Sequence, residues 1–237
     1  MSRSRLGEVL AAVAGARAPV VVFDLDSTLF STWPRSVAIL NEFVAAYGHA
    51  HPEIARAAAS VRVADERWSV IDVLRGLGVA DEPSLEHLRR FWVDRFFTDA
   101  YLAHDPAAPG AVDYVRRVHD AGAHVYYLTG RHYDGMGEGT VRALTAAGFP
   151  LWRGRVHLHL KPRFDMPDRA FKEEAIADLR SLGGDIVATF ENEPENANLF
   201  QESFPDATNF LLETVHSGRP VTPHPALVRV PDFRLTG

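Results

Sequence analysis

Two aspartates follow a short apolar run near the start of the chain. Residues 20–23 read V-V-V-F, which predicts a strand buried on both faces, and the run leads directly into Asp24 and Asp26. Because side chains alternate along an extended chain, both carboxylates should project to one side while Leu25 points into the core. Open α/β sheets bind ligands at the carboxyl ends of their strands. The pair therefore suits a nucleophile, a general acid–base and a divalent metal ion in one small volume.

The segment Asp24 to Thr28, D-L-D-S-T, resembles motif I (D-x-D-x-T) of the haloacid dehalogenase (HAD) superfamily, in its phosphohydrolase branch. A helix cap or turn accounts for one aspartate but not for this pattern placed directly after an apolar strand. The resemblance implies that Asp24 attacks phosphorus and forms an aspartyl-phosphate. It implies that Asp26 protonates the leaving alkoxide and then activates water, and it places Thr28 among the substrate-binding residues. The dehalogenase branch lacks the second acid.

Thr129, Gly130 and Arg131 follow a second predicted strand, residues 124–128. A hydroxyl and the backbone N–H groups beside a glycine can hold an anion, although Thr-Gly is also common in ordinary strand-to-helix turns. The tripeptide resembles HAD motif II, which implies that Thr129 is catalytic and that Gly130 and Arg131 bind substrate. An exposed surface position is the alternative for Arg131.

Two lysines are candidates for the cation that a phosphoryl group in transfer requires. Lys172 lies in the first turns of a helix predicted over residues 168–182, where HAD motif III places its lysine. Lys161 closes the third predicted strand, residues 156–160, a form also met in the family. We assign Lys172 to catalysis and Lys161 to substrate binding, with a solvated surface charge as the alternative for each. Asp168 is expected to cap the helix.

The fourth predicted strand, residues 186–190, ends in E-N-E-P-E-N, where HAD motif IV usually has aspartates. The segment can be aligned with motif IV in two ways, by matching Pro194 or by matching the end of the strand. The two alignments select different pairs of residues for the two acidic positions. These pairs are Asn192 with Asn196, and Glu191 with Glu195. An acidic helix N-terminus that binds nothing is the alternative interpretation.

Mg²⁺ is the cofactor that the resemblance implies. It accepts carboxylate and amide oxygens and keeps several waters. The implied ligands are the Asp24 side chain, the Asp26 backbone carbonyl, and Glu191 and Asn192 from motif IV.

The alternation of strands and helices predicts an α/β fold, a Rossmann-like parallel five-stranded sheet flanked by helices with an all-helical cap insert. Residues 208–212 supply the fifth strand, and the proline-rich tail from Glu213 is predicted to be extended. Residues 31–104 contain four predicted helices, the fourth capped by Ser84, and resemble a C1-type cap that closes over the site in the family. The predicted domains are residues 1–30 with 105–237 as the core, and 31–104 as the cap.

Composition and net charge limit the classes of partner that the protein is expected to bind. The chain has 237 residues, no cysteine and a net charge of −6, which makes nucleic acid an unlikely partner and excludes a thiolate nucleophile. No apolar run is long enough to serve as a signal core or a membrane span, and we expect a cytoplasmic protein that binds no membrane.

These patterns predict a Mg²⁺-dependent phosphatase that acts on a small phosphorylated metabolite. A non-catalytic HAD-like protein that binds a phosphorylated ligand or a partner is the alternative from another class. A phosphomutase or a nucleotidase is the alternative among enzymes, and for a nucleotidase Trp33, Trp68 and Trp92 are either base-stacking or core residues. The sequence indicates neither the substrate nor the oligomeric state.

Overall fold

A computed structural model describes residues 4–235 of the chain. Its strands are β1 (Val20–Phe23), β2 (His124–His132), β3 (Val156–Lys161), β4 (Ile186–Glu191), β5 (Thr208–Leu212) and β6 (Val228–Val230). They form a parallel sheet in the order β3-β2-β1-β4-β5-β6. All four residues of β1 are buried, as the V-V-V-F run predicts. The predicted Rossmann-like α/β fold is confirmed.

The predicted strand count of five is wrong, because the sheet has six strands. The additional strand, β6, lies in the tail that was predicted to be extended, and it pairs with β5 through Phe210 and Val228. Its three residues, V-R-V, are too few to show an alternating pattern in the sequence. By covering β5, β6 satisfies an edge whose backbone groups would otherwise stay unpaired.

Helices cover both faces of the sheet. Helices α1 (Arg5–Gly15), α6 (Ala111–Asp120) and α7 (Tyr133–Ala147) pack on the face that carries Val21 and Phe23, whereas α8 (Asp168–Ser181) and α9 (Pro194–Ser203) pack on the face of Val20 and Val22. Between residues 4 and 235, no helix is both long and apolar enough to cross a bilayer.

The segment between β1 and β2 is helical. It contains α2 (Trp33–Tyr47), α3 (Pro52–Ala58), α4 (Val70–Gly76) and α5 (Glu82–Phe96), so the four predicted helices are confirmed. These helices bury an apolar cluster of their own, which includes Trp33, Phe43 and Leu88. The cap of α5 is Asp81 rather than Ser84, since the Asp81 carboxylate accepts the Ser84 N–H at 3.2 Å. The division into cap and core domains stays a prediction.

A row of three phenylalanines crosses the centre of the sheet. Phe23 of β1 pairs with Phe190 of β4, which pairs with Phe210 of β5. The ring centroids are 4.8 Å and 4.5 Å apart, and the planes differ by 8° and 4°. Asp24 and Glu191 each follow one of these rings in the chain, so the row sets their relative height at the end of the sheet.

Candidate active site

Asp24, Glu191 and Lys172 meet at the carboxyl ends of β1 and β4. Lys172 lies in the second turn of α8, and its Nζ donates to Asp24 Oδ1 at 2.9 Å and also to Glu191 Oε2. All three side chains are buried. Although burial lowers the pKa of Lys172, the two carboxylates raise it above its ordinary value, so the lysine is charged. The structure thus brings together the nucleophile, the cation and one metal ligand that the sequence predicts.

The two carboxylates at this point exceed the single cation between them. Glu191 Oε1 is held by the backbone N–H groups of Asn192 and Glu193, at 3.2 Å and 3.0 Å, which keeps this acid in place. Burial and the neighbouring Glu191 raise the pKa of Asp24 to about 7 against the opposing effect of Lys172. The site therefore carries excess negative charge that a further cation would relieve.

Asp26 faces a different set of partners. Its Oδ1 accepts from Arg131 Nε at 2.7 Å and from Arg35 Nη2 at 3.4 Å. Burial opposes ionisation, but Arg131 and Arg35 hold the pKa of Asp26 below its ordinary value. Asp26 is consequently an ionised carboxylate in this arrangement.

Arg35 and Asp105 complete a buried network that the sequence analysis missed. Arg35 Nε donates to Asp105 Oδ1 at 2.9 Å, and Arg131 Nη2 donates to Asp105 Oδ2 at 3.0 Å. The side chains of Arg35, Asp105 and Arg131 are fully buried. We call these residues, with Asp26, the arginine–aspartate network. The surface alternative for Arg131 is thereby excluded.

The network joins the sheet to both ends of the helical segment. Arg35 lies in the first turn of α2, near the start of the helical segment, and Asp105 lies between the end of that segment and α6. Arg35 Nη1 also donates to the Phe96 carbonyl at 3.0 Å, and its guanidinium lies 4.1 Å from the centre of the Phe96 ring. The sequence gives only a partial indication that Arg35 is buried. A charged residue at an apolar helix position can be recognised only after the buried face of that helix is known.

The two threonines lie close to the site but do not line its cavity. Thr28 is fully buried and its hydroxyl donates to Asn192 Oδ1 at 3.3 Å. The Thr129 hydroxyl accepts the Arg131 N–H at 3.2 Å. Both side chains thus support neighbouring loops, and their predicted roles with substrate stay predictions.

Gly130 and Lys161 do line the cavity, together with Asp168. Lys161 Nζ donates to Asp168 Oδ1 at 2.7 Å. A Cβ at Gly130 would lie 3.0 Å from that same oxygen, so the glycine admits the ion pair. The expected cap role of Asp168 is wrong: Pro167 occupies the cap position and Asp168 is the first helical residue.

The oxygen atoms at the strand ends fit a hard divalent cation. Within residues 4–235 no three His, Cys, Asp or Glu side chains form a metal cluster. The oxygen donors here are the carboxylates of Asp24 and Glu191 and the amide of Asn192. Asp24 has one oxygen on Lys172, and its other oxygen accepts no hydrogen bond from the described residues. The Asn192 amide donates to the Val215 carbonyl at 2.7 Å, which fixes the orientation of its oxygen. Excess negative charge and oxygen donors are the conditions that Mg²⁺ requires.

The chain after β5 ties the two acidic loops together. The Thr214 hydroxyl donates to the Ser27 carbonyl at 2.5 Å, and the Ser217 N–H donates to Glu193 Oε2 at 3.0 Å.

Glu195 turns away from the site and pairs with Arg219 at 3.1 Å. Of the two motif IV alignments, the structure places Glu191, Asn192 and Asn196 at the cavity and leaves Glu195 outside its lining.

A cavity of about 430 Å³ lies over these groups. Its floor consists of the strand ends with Asp24, Asp26 and Lys172, and its remaining wall comes from α4, α5 and the loop after β3. The arrangement can hold a small anion at the floor and a larger attached group against the helices.

Comparisons with known proteins support this architecture. No protein-family model matches the sequence, and a search of curated proteins finds no match. Among solved structures, the chain is similar to protein tyrosine kinase A of Mycobacterium tuberculosis, with 13% identity, a TM-score of 0.54 and coverage of 90% of this chain and 93% of that one.

Two further structures share the fold. A protein of Thermotoga maritima assigned as a beta-phosphoglucomutase has 14% identity and a TM-score of 0.51, over 89% of this chain and 93% of that one. A protein of Bacteroides fragilis assigned as a haloacid dehalogenase-like hydrolase has 12% identity and a TM-score of 0.51, over 89% and 94%. The chain therefore has the haloacid dehalogenase-like fold, as the motif resemblance predicts. Because these names describe different reactions, the reaction must be argued from the site.

Proposed function

We propose that this protein is a Mg²⁺-dependent phosphatase of the HAD superfamily that hydrolyses a small phosphate monoester through an aspartyl-phosphate on Asp24. The observation that carries the proposal is the contact of Lys172 with both Asp24 and Glu191 at the carboxyl end of the central strand. This contact fixes one Asp24 oxygen and leaves the other available for attack on phosphorus.

The first half of the reaction is derived from the groups at the cavity floor. The Asp24 oxygen that does not contact Lys172 attacks phosphorus, and the bond to the leaving alkoxide breaks on the opposite side. Lys172 keeps the nucleophile oriented, while Lys161 and the backbone N–H of Gly130, which both line the cavity, would hold phosphoryl oxygens. Asp24, the Asp26 backbone carbonyl, Glu191 and Asn192 would hold the Mg²⁺, which supplies charge neutralisation when bound.

Asp26 serves the second half of the reaction in the form that the structure describes. An ionised carboxylate accepts a proton from the water that attacks the aspartyl-phosphate, which restores Asp24 and releases phosphate. Protonation of the leaving alkoxide in the first half requires the acid form of Asp26. That form requires weaker contact with Arg35 or Arg131, and Arg35 is carried by α2 and not by the sheet.

The test is phosphate release from a panel of phosphate monoesters, with Mg²⁺ and with EDTA. We expect release that depends on Mg²⁺ and is lost in Asp24→Asn. Asp113→Asn is the matched control, because it makes the same chemical change at an exposed position on α6. Acid quenching during turnover should trap a phosphoenzyme in the wild type and not in Asp24→Asn. Release that continues undiminished in Asp24→Asn, or in EDTA, contradicts the mechanism.

A non-catalytic phosphate-binding protein is the second candidate. The observation that favours it is Glu191, whose two oxygens are already bound by Lys172 and by two backbone N–H groups. A folded protein that binds inorganic phosphate but releases none from any monoester, with or without Mg²⁺, would establish this candidate over the phosphatase.

A further inference from the structure

An aromatic wall lines part of the cavity above the carboxylates. It consists of Trp68, Trp92, Phe96, Phe97 and Phe164. The first residue precedes α4, the next three lie on or just after α5, and Phe164 belongs to the loop after β3. Separate parts of the chain therefore contribute aromatic rings to one surface.

Four of the five rings form a continuous row, which does not include Trp68. Trp92 and Phe96 stack with centroids 4.1 Å apart, Phe97 lies 5.0 Å from Phe96, and Phe164 lies 4.9 Å from Phe97. The Trp92 indole N–H donates to Ser36 Oγ at 3.2 Å, which fixes the orientation of its ring. These four rings are therefore held in place by contacts within the protein.

Two of the five rings are largely exposed. Trp68 is 52% exposed and Phe164 is 51% exposed. Exposed aromatic surface inside a cavity is costly in water and is typical of a ligand-binding surface. Trp33, the other tryptophan of the helical segment, is buried in the apolar cluster and takes no part.

Few charged side chains line the cavity from the helical segment. Among its lining residues from α4 and α5, Arg89 carries the only charge, and its Nε lies 3.3 Å from Glu86. Ser69 is the one hydroxyl that this part of the lining offers. A leaving group with many hydroxyls would lose its water against the aromatic rings without regaining hydrogen bonds.

We propose, on the premise of the phosphatase function above, that the substrate's leaving group carries a flat aromatic ring that packs against this aromatic wall while its phosphate lies at Asp24. The ring could belong to a nucleoside or to an aryl-alkyl alcohol. Both sources share the chemistry that the wall recognises, a π face with little need for hydrogen bonds.

The test compares esters of matched leaving-group reactivity. We expect kcat/KM for 2-phenylethyl phosphate to exceed that for 2-cyclohexylethyl phosphate by about two- to tenfold, the range expected for aromatic pairs beyond the burial of apolar area. The two alcohols are similar in reactivity and bulk, so the ratio isolates aromaticity. A nucleoside 5′-monophosphate compared with ribose 5-phosphate then separates the two sources. 4-Nitrophenyl phosphate is unsuitable because its leaving group is activated.

Single variants connect any preference to the wall. Trp68→Ala and Phe164→Ala should each lower the ratio of kcat/KM for 2-phenylethyl phosphate to kcat/KM for ribose 5-phosphate by about tenfold. Trp152→Ala is the matched control, because Trp152 is 76% exposed and lies outside the cavity lining. Equal kcat/KM for the phenyl and cyclohexyl esters, or an equal effect of the variants on ribose 5-phosphate, overturns the inference while leaving the phosphatase proposal intact.

A binding measurement decides the inference even if the proposed function fails. In Asp24→Asn, calorimetric titration should give tighter binding of 2-phenylethyl phosphate than of 2-cyclohexylethyl phosphate, and Trp68→Ala in the same background should remove the difference. Loss of turnover in every assay with this binding preference retained would reject the phosphatase and keep the aromatic ligand. Equal binding of the two esters would reject the aromatic ligand.

Discussion

Replacement of Arg35 by methionine tests the arginine–aspartate network. Met preserves much of the length and apolar surface of the side chain, but it removes the charge that the buried Asp105 contacts through two hydrogen bonds. Asp105 then keeps only Arg131 as its cationic partner among the described residues. Burial already raises the pKa of Asp105. The ionised Asp105 carboxylate therefore destabilises the folded protein when it loses a cationic partner.

The expected loss is about 3–5 kcal/mol of the free energy of unfolding, the range for a buried ion pair that loses one member. For a chain of this size, each kcal/mol corresponds to roughly 2–4 °C in Tm, so Tm should fall by roughly 6–20 °C. The assay is urea and thermal unfolding followed by circular dichroism. Asp105→Asn and the double variant complete a cycle in which the double variant should lose less than the sum of the two single losses.

Arg75→Met is the matched control. It removes the same charge from an arginine that also contacts two carboxylates, Asp72 and Glu82, but on the surface. We expect little change in Tm because exposed pairs contribute little. If Arg35→Met is as stable as Arg75→Met, the network does not hold the helical segment to the sheet, and the reasoning is refuted.

Three other predictions concern the cation, the metal and the pH dependence of stability. Lys172→Met should lower kcat/KM at least about a hundredfold, as loss of a preorganised electrostatic contact does, and steady-state kinetics on a variant of unchanged circular dichroism checks this; an effect on KM alone contradicts the orientation of Asp24 by this lysine. Asn192→Ala should raise the Mg²⁺ concentration for half-maximal activity by tenfold or more, measured by metal titration, and an unchanged value would exclude the amide as a ligand. Burial and the nearby His157 lower the pKa of His124, so the unfolded state binds more protons and stability should fall as pH drops below about 6.5 through the lower folded-state pKa. His124→Gln should flatten this fall in unfolding midpoints, and an unchanged slope would assign the effect to other groups.

The positions of Asp24 and Lys172 at the end of the sheet could be predicted because they depend on strand order and local pattern. An apolar strand followed by two acids identifies β1 and its carboxyl end, and the order of elements then places Lys172 beside it. Both inferences need only the alternation of strands and helices, which the sequence shows in its hydrophobic periodicity.

The contacts between the helical segment and the sheet could not be predicted in this way. Burial of Arg35 depends on how α2 meets Asp105, which is 70 residues away in the chain. The role of Glu191 shows the same limit: its position at a strand end is readable, but its contact with Lys172 follows from side-chain direction in three dimensions. The tryptophans differ likewise, since only packing separates the buried Trp33 from the exposed Trp68.

The phenylalanine row has a consequence for the accuracy of the polar site. A slip of β4 by one residue against β1 would bring Phe190 to the level of Asp24 and withdraw Glu191 from Lys172, and it would also separate three stacked rings. The phenylalanine row therefore sets the register of the strands. Its packing is weak and non-directional, but it fixes the spacing of the strongly interacting charges that follow one residue later in the chain. The precise position of the charged groups thus depends on three buried phenylalanines that never touch a ligand.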